Sequence, residues 1–154
     1  MVDKTSSSVM KEDIYQKIIK RVQKEIKPLK GSEIVIGIPF IGSPDEMKTL
    51  PKVIKTANEG IKRFYPGKKA SFILAGSYEA KRAQSKIEGC LKKGKIEGYS
   101  FILEKSIDGK GWAIRALIEI SKFLHSDLIL LQADLLKKRK HGIQDNWIYL
   151  IHRP

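Results

Sequence analysis

Four short apolar runs, each separated from the next by a segment with helical spacing, constrain this chain more than any other feature. Ile34-Val35-Ile36-Gly37-Ile38 is continuous and closed by Pro39, and Ser71 to Ala75, Tyr99 to Leu103 and Leu128 to Gln132 repeat the type. A run that is apolar at successive positions, and not at every second one, fits a strand covered on both faces. Between the runs, apolar residues recur at steps of three and four. The sets are Leu50, Val53, Ile54, Ala57, Ile61 and Phe64, then Ala80, Ala83, Ile87 and Leu91, then Ala113, Ala116, Leu117, Ile120 and Leu124. Each set is one buried face of a helix. Strands that alternate with helices need crossover connections, and right-handed crossovers give a parallel sheet with helices on both faces. The expected fold class is therefore α/β, with a Rossmann-like, mostly parallel sheet of about four strands.

The ends carry weaker signals. Residues 1–10 are polar with a serine run, Ser6 to Ser8, and are expected to form a flexible leader. Residues 11–30 place Ile14, Ile18, Val22 and Ile26 on one face before Pro28 and Gly31, the pattern of an amphipathic helix. A last amphipathic segment runs from Ile143 to Ile151 and is expected to be helical around Trp147.

Length and apolar content, 154 residues and 42%, suit one domain with its own core. Cys90 has no partner for a disulfide, and no Cys/His spacing resembles a structural zinc site. No apolar run approaches the roughly 20 residues of a membrane span, and the start lacks a signal-peptide core. A cytoplasmic setting is expected, with contact at a membrane surface compatible with the charge. That charge, +13, fits nucleic acid, anionic lipid or an anionic small substrate. Its lysines are spread over nearly every helical segment, and the one dense run is Lys137-Lys138-Arg139-Lys140. This run is either a solvated face or a phosphate or lipid contact. No aromatic residues interleave with it, so a specific nucleic-acid site is not expected.

In a parallel sheet the loops after the strands gather on one edge, where ligands bind. The loop after the third run, Asp108 to Arg115, contains Gly109, Lys110 and Gly111. The glycines let backbone approach a ligand, the lysine brings a mobile cation, and the helix start offers free N–H groups to a phosphate. The alternative is a glycine-rich turn that only starts a helix. GxxxxGK[ST] is absent, and Ile114 stands where a dinucleotide fingerprint has its third glycine. Asp134, past the last apolar run, suits a divalent ion that bridges a diphosphate, and equally suits a cap or an ion pair. Pro39 to Glu46 offers Ser43, Asp45 and Glu46 to a base or ribose, or else performs turn and helix-start chemistry. His125, His141 and His152 share no spacing with a partner, and Cys90, Trp112 and Trp147 fit packing roles. No G-x-S-x-G elbow is present.

The order of Ile34-Val35-Ile36-Gly37-Ile38-Pro39, Gly109-Lys110-Gly111 with Arg115, and Ala133-Asp134 resembles the N-terminal half of GT-A glycosyltransferases. Within them it is most similar to the family-2 enzymes and to glucosyl-3-phosphoglycerate and mannosylglycerate synthase relatives. Gly142-Ile143-Gln144, Trp147-Ile148 and Pro154 resemble the segment after the metal motif in that branch, so the likeness spans Ile34 to Pro154. The resemblance implies that residues 33–154 bind a nucleotide-sugar donor. It assigns Pro39, Phe40, Ser43, Asp45 and Glu46 to the nucleotide, Lys110 and Arg115 to the diphosphate, and Asp134 to a divalent cation, magnesium or manganese. It also implies an acceptor half after Pro154, whose loss would leave apolar surface uncovered beside the last strand. Self-association or a missing C-terminal half is therefore expected as a partner, and no catalytic residue is assigned. Two positions depart from the family pattern. Gln132 stands where the first of two metal-motif acids is common, and Ala75-Gly76-Ser77-Tyr78 where a base-reading acid is usual. The competing expectation is a basic, non-catalytic interaction module for nucleic acid or an anionic surface. A nucleotidyltransferase ranks last, because the glycine-rich phosphate loop after the first strand is missing.

Overall fold

The computed structural model describes residues 4–77, 81–96, 98–104, 110–132 and 149–151. Its strands are β1 (Ile34–Phe40), β2 (Ala70–Ser77), β3 (Tyr99–Glu104), β4 (Asp127–Leu130) and β5 (Tyr149–Ile151). Its helices are α1 (Lys4–Glu25), α2 (Pro44–Phe64), α3 (Lys81–Lys93) and α4 (Lys110–Phe123), with a 3-10 turn at Lys27–Leu29. The sheet order is β3-β2-β1-β4-β5. The first four strands are parallel and β5 is antiparallel to β4. This is the α/β, Rossmann-like architecture that the alternation of runs implies.

β1 is buried along its whole length, which is why it is apolar at every position. Val35 faces one side of the sheet with Ile73, Leu128 and Leu130, against α1 and α4. Ile34, Ile36, Ile38 and Phe40 face the other with Phe72 and Leu74, against α2 and α3. The helix stripes match: Ile18, Val22, Ala116 and Leu117 fill the first layer, and Leu50, Val53, Ile54 and Ile87 the second. Each fully buried Leu or Ile of this kind contributes about 1.5–3 kcal/mol. Gly37 has a packing reason. A Cβ there would stand 3.0 Å from Leu128 Cδ1 and 3.1 Å from Leu117 Cδ1, so glycine lets α4 settle against the β1 backbone.

Pro39 does not end β1, which continues to Phe40. The β1–β4 register runs only as far as Gly37↔Leu130, and Leu131 N then donates to Gly37 O at 3.0 Å. In a parallel strand alternate residues bond to the same neighbour, so Pro39 lacks its N–H on the β4 side, beyond the last paired residues. It costs no ladder bond to β2 and leaves β1 and β4 free to part.

Two segments differ from expectation, the start of α1 and Tyr149–Ile151. α1 begins at Lys4, inside the stretch expected to be a leader, because no glycine or proline interrupts the chain between the serines and the docked part. α2 begins at Pro44 with Ser43 as its cap, the helix start that was one of the two readings of this segment. Tyr149–Ile151 is a strand and not part of a helix: Leu128↔Ile151, Ile129↔Leu150 and Leu130↔Tyr149 pair it with β4. Pairing with an available edge overrides a helical pattern this short. β5 thereby covers the β4 edge.

Candidate functional site

The strand order fixes where a ligand can sit. From β1 the chain moves through β2 to β3 on one side, then crosses to β4 on the other. The loops leaving the C-terminal ends of β1 and β4 therefore part in opposite directions and leave a crevice between them. Pro39 marks the splay. Ile41 to Ser43 follow β1 there, and Leu131 and half-buried Gln132 follow β4. The N-termini of α2 and α4 open on this same edge.

The loop after β1 is held by its own polar groups. Gly42 takes φ +79, a left-handed turn that glycine adopts without strain. Ser43 is the N-cap of α2: its Oγ accepts from Glu46 N at 3.2 Å. Glu46 folds back, and its Oε1 accepts from Ile41 N at 3.0 Å, Ser43 N at 3.2 Å and Ser43 Oγ at 3.3 Å. This is a capping box with an added loop contact, and it satisfies donors that the helix start leaves unpaired. Glu46 is 6% exposed, and its Oε2 is buried without a hydrogen-bond partner. Beside the loop, Gly76 lies opposite Phe40 in the β1–β2 register, and a Cβ on it would collide with the Phe40 carbonyl oxygen.

A shallow cleft of about 490 Å³ opens next to this loop. Ile41, Gly42, Ser43, Pro44 and Met47 form one wall, and Arg82, Ala83 and Lys86 of α3 the other. Arg82 and Lys86 are exposed. Neither belongs to any of the ion pairs among the described residues. Two cations and a helix N-terminus favour an anion on electrostatic grounds. Sequence reasoning missed both residues. Arg82 and Lys86 stand one turn apart early in the helix after β2, but among so many lysines only the topology singles them out.

The structure brings together one part of the expected site. Pro39, Phe40, Ser43, Asp45 and Glu46 meet at the loop after β1. Pro39 and Phe40 are its buried floor, Ser43 and Glu46 are engaged in capping, and Asp45 is exposed on the first turn of α2. Lys110 begins α4 on the same edge. Arg115 is not brought there. Its guanidinium donates to both oxygens of Glu12 on α1, each at 2.7 Å, and lies 3.9 Å from the centre of the Tyr15 ring. Those bonds, with a smaller contribution from Gln16, hold the Glu12 carboxyl down at about 2. Burial pushes the Tyr15 phenol up. Arg115 therefore fastens α1 to α4.

Asp134, Gly109, Trp147, His141 and His152 lie outside the described residues, as does the Lys137–Lys140 run. Among the described residues no group of three or more His, Cys, Asp or Glu could hold a metal ion. Trp112 is a packing anchor, 8% exposed in the α1–α4 layer, and Cys90 is half-buried on α3. His125 is exposed at the end of α4, on the opposite edge.

That opposite edge holds a larger cleft, about 600 Å³, lined in part by Lys30, Glu33, Lys68, Phe123 and Asp127. It lies at the N-terminal ends of β1 and β4 and beside the C-terminus of α4, whose carbonyls disfavour anions. Lys68 pairs with Glu33 at 3.0 Å, and Lys30 lies 5.1 Å from the Phe123 ring centre. Its charges are mixed and partly paired, so the smaller cleft at the crevice is the better candidate despite its size. Compared with models of protein families, with curated proteins and with solved structures, the chain matches none.

Proposed function

We propose that this chain is the nucleotide-diphospho-sugar-binding domain of a glycosyltransferase that moves a sugar from the donor to a separate acceptor. The observation that carries the reading is the parallel sheet with its crossover beside β1, which sets the capped α2 loop, the Arg82–Lys86 rim and the start of α4 on one edge. The nucleoside lies against the loop from Ile41 to Ser43. The diphosphate is met by the cations of the cleft and by the N–H groups at the start of α4. Asp134 meets a divalent cation, magnesium or manganese, which neutralises diphosphate charge. The setting is cytoplasmic. The resemblance in sequence supports the sugar; the geometry supports the anionic ligand.

Calorimetry with UDP- and GDP-sugars, with and without manganese or magnesium, tests the reading. Ion-dependent binding is expected, weakened in Asp134→Ala by about 1.5–3 kcal/mol for one charge-assisted contact. Absence of binding to any nucleotide sugar refutes it, and ion-independent binding unchanged in Asp134→Ala refutes the metal role.

A further inference from the structure

We infer that the free edge of β3 pairs with β3 of a second copy of this chain, antiparallel across a two-fold axis, so that two five-stranded sheets become one. β3 is an outer strand, and among the described residues nothing pairs with its far side, whereas β5 covers the opposite edge. The ladder with β2 fixes which main-chain groups are left over. Phe72, Leu74 and Gly76 are the partners of Tyr99, Phe101 and Leu103, and Phe72 N donates to Gly98 O at 2.9 Å. In a parallel ladder each such residue bonds to the two positions that flank its partner. Gly98, Ser100, Ile102 and Glu104 therefore turn their N–H and C=O groups to β2, and those of Tyr99, Phe101 and Leu103 point away from it. An antiparallel pair centred on Phe101 matches them all: Phe101 exchanges both bonds with its own copy, and Tyr99 with Leu103 of the second chain. A shift of two residues either way leaves part of β3 unpaired.

The main chain alone would accept any extended strand, so the side chains choose the occupant. Edge strands are commonly protected by lysine, proline or a bulge. β3 has no lysine, arginine or proline, in a chain where Lys and Arg number 30 of 154 residues. Its register with β2 runs without a bulge from Tyr99 to Glu104. Its one charge, Glu104, is paired with Arg21. Copies with a net charge of +13 repel one another, and a strip without unpaired charge lowers that barrier. In the two-fold register Glu104 falls opposite Gly98, so no charge meets its like, while Phe101 meets Phe101 and Tyr99 meets Leu103. These three side chains are half-buried on the α2–α3 layer, with the Tyr99 and Phe101 rings edge-on at 6.2 Å. Pairing continues that apolar layer from one copy into the next. Lipid offers the edge no hydrogen bonds, and no described helix is long and apolar enough to cross a membrane. The inference is independent of the nucleotide reading, because β2 stands between β3 and the crevice at β1.

Sedimentation velocity over about a hundredfold range of protein concentration, with residue-resolved amide exchange, tests it. A monomer–dimer equilibrium is expected, and it tightens as salt rises above about 0.1 M, because salt screens the repulsion between basic copies. Amides of Tyr99, Phe101 and Leu103 exchange fast in the monomer and slowly in the dimer, while those of Ser100 and Ile102 are slow in both. Ser100→Lys sets a cation at a half-exposed position, opposite Ile102 and diagonal to its own copy, and raises the dimer Kd at least about tenfold. Thr56→Lys adds the same charge on the exposed face of α2 and leaves the dimer intact. Circular dichroism checks that both variants are folded, and the exchange measurement uses the unaltered chain. The inference is overturned by a monomer at every concentration, by an oligomer larger than the dimer, or by a dimer that Ser100→Lys leaves intact. Loosening with salt overturns it too, as does exchange at Tyr99, Phe101 and Leu103 that does not depend on concentration.

Discussion

Glu46 separates two roles that sequence alone leaves entangled: a ligand for a base or ribose, or a cap for α2. Its Oε1 accepts from two backbone N–H groups and from Ser43 Oγ, at 3.0 to 3.3 Å, while Oε2 is buried without a partner. Glu46→Ala removes the acceptor that the N–H groups of Ile41 and Ser43 share in a part-buried loop. The Ser43 cap itself survives, so the loss is that of the reciprocal hydrogen bonds, about 0.5–1.5 kcal/mol each and more for a bond to a charged group. The combined loss is roughly 1–3 kcal/mol, because the loop relaxes and water replaces part of what is lost. Glu46→Gln keeps an oxygen for the same donors and replaces the unpartnered carboxylate oxygen with an NH₂. It gives up the attraction of a negative charge to the helix start, about 0.3–1 kcal/mol, and removes the cost of a buried charge, so its net effect is within about 1 kcal/mol. Urea unfolding at constant m reads both values. A neutral Glu46→Ala, or a Glu46→Gln as damaging as the alanine, refutes the capping argument. The same two proteins distinguish the roles: if Glu46 also binds the ligand, Glu46→Gln loses affinity for the nucleotide sugar while keeping its stability.

Arg82→Ala and Lys86→Ala are each expected to weaken nucleotide-sugar binding about tenfold, with stability changed by no more than about 0.5 kcal/mol. Titration calorimetry that finds full affinity in the double variant moves the ligand out of the cleft. Gly76→Ala pushes a methyl group into the Phe40 carbonyl and is expected to cost roughly 1–3 kcal/mol, because the obstacle is strand backbone with little room to give. An unchanged Tm refutes that close approach. Glu12 supplies a pH test. Its carboxyl is lowered from 4.5 to about 2, first by the hydrogen bonds from Arg115, so its contribution is complete above 4.5 and is lost as pH falls through about 2. Stability of the wild type measured against Glu12→Gln should converge across that window. A gap that persists down to about pH 2 refutes the Arg115 pairing as its source.

The sheet was legible because burial on both faces leaves an unmistakable record: β1 could not be apolar at every position in a one-sided sheet. Its end was less legible, since proline reads as a stop until the register shows that its missing N–H falls on the β4 side, past the last β1–β4 pair. β5 was invisible for a related reason. Tyr149, Leu150 and Ile151 carry no alternation long enough to separate strand from helix, and only the neighbouring β4 decides. Arg115 illustrates the limit for polar residues: the partners that settle its place, Glu12 and Tyr15, are about a hundred residues earlier in the chain.

The α2 start shows the opposite case, a local signal that was present and decisive. Ser43-Pro44-Asp45-Glu46 carries the spacing of a capping box, serine then glutamate three residues on, with proline at the first helical position. Weighed as chemistry alone, Ser43 and Glu46 look like donors and acceptors awaiting a ligand. Weighed as structure, they are the groups that hold Ile41 and Gly42 in one conformation beside the cleft. The two readings meet at this loop: a nucleotide loses less ordering entropy when it docks on a loop already fixed by its own hydrogen bonds. On the proposed reading the nucleotide's contacts are the exposed residues across the cleft, Arg82 and Lys86, while Ser43 and Glu46 hold the wall that faces them.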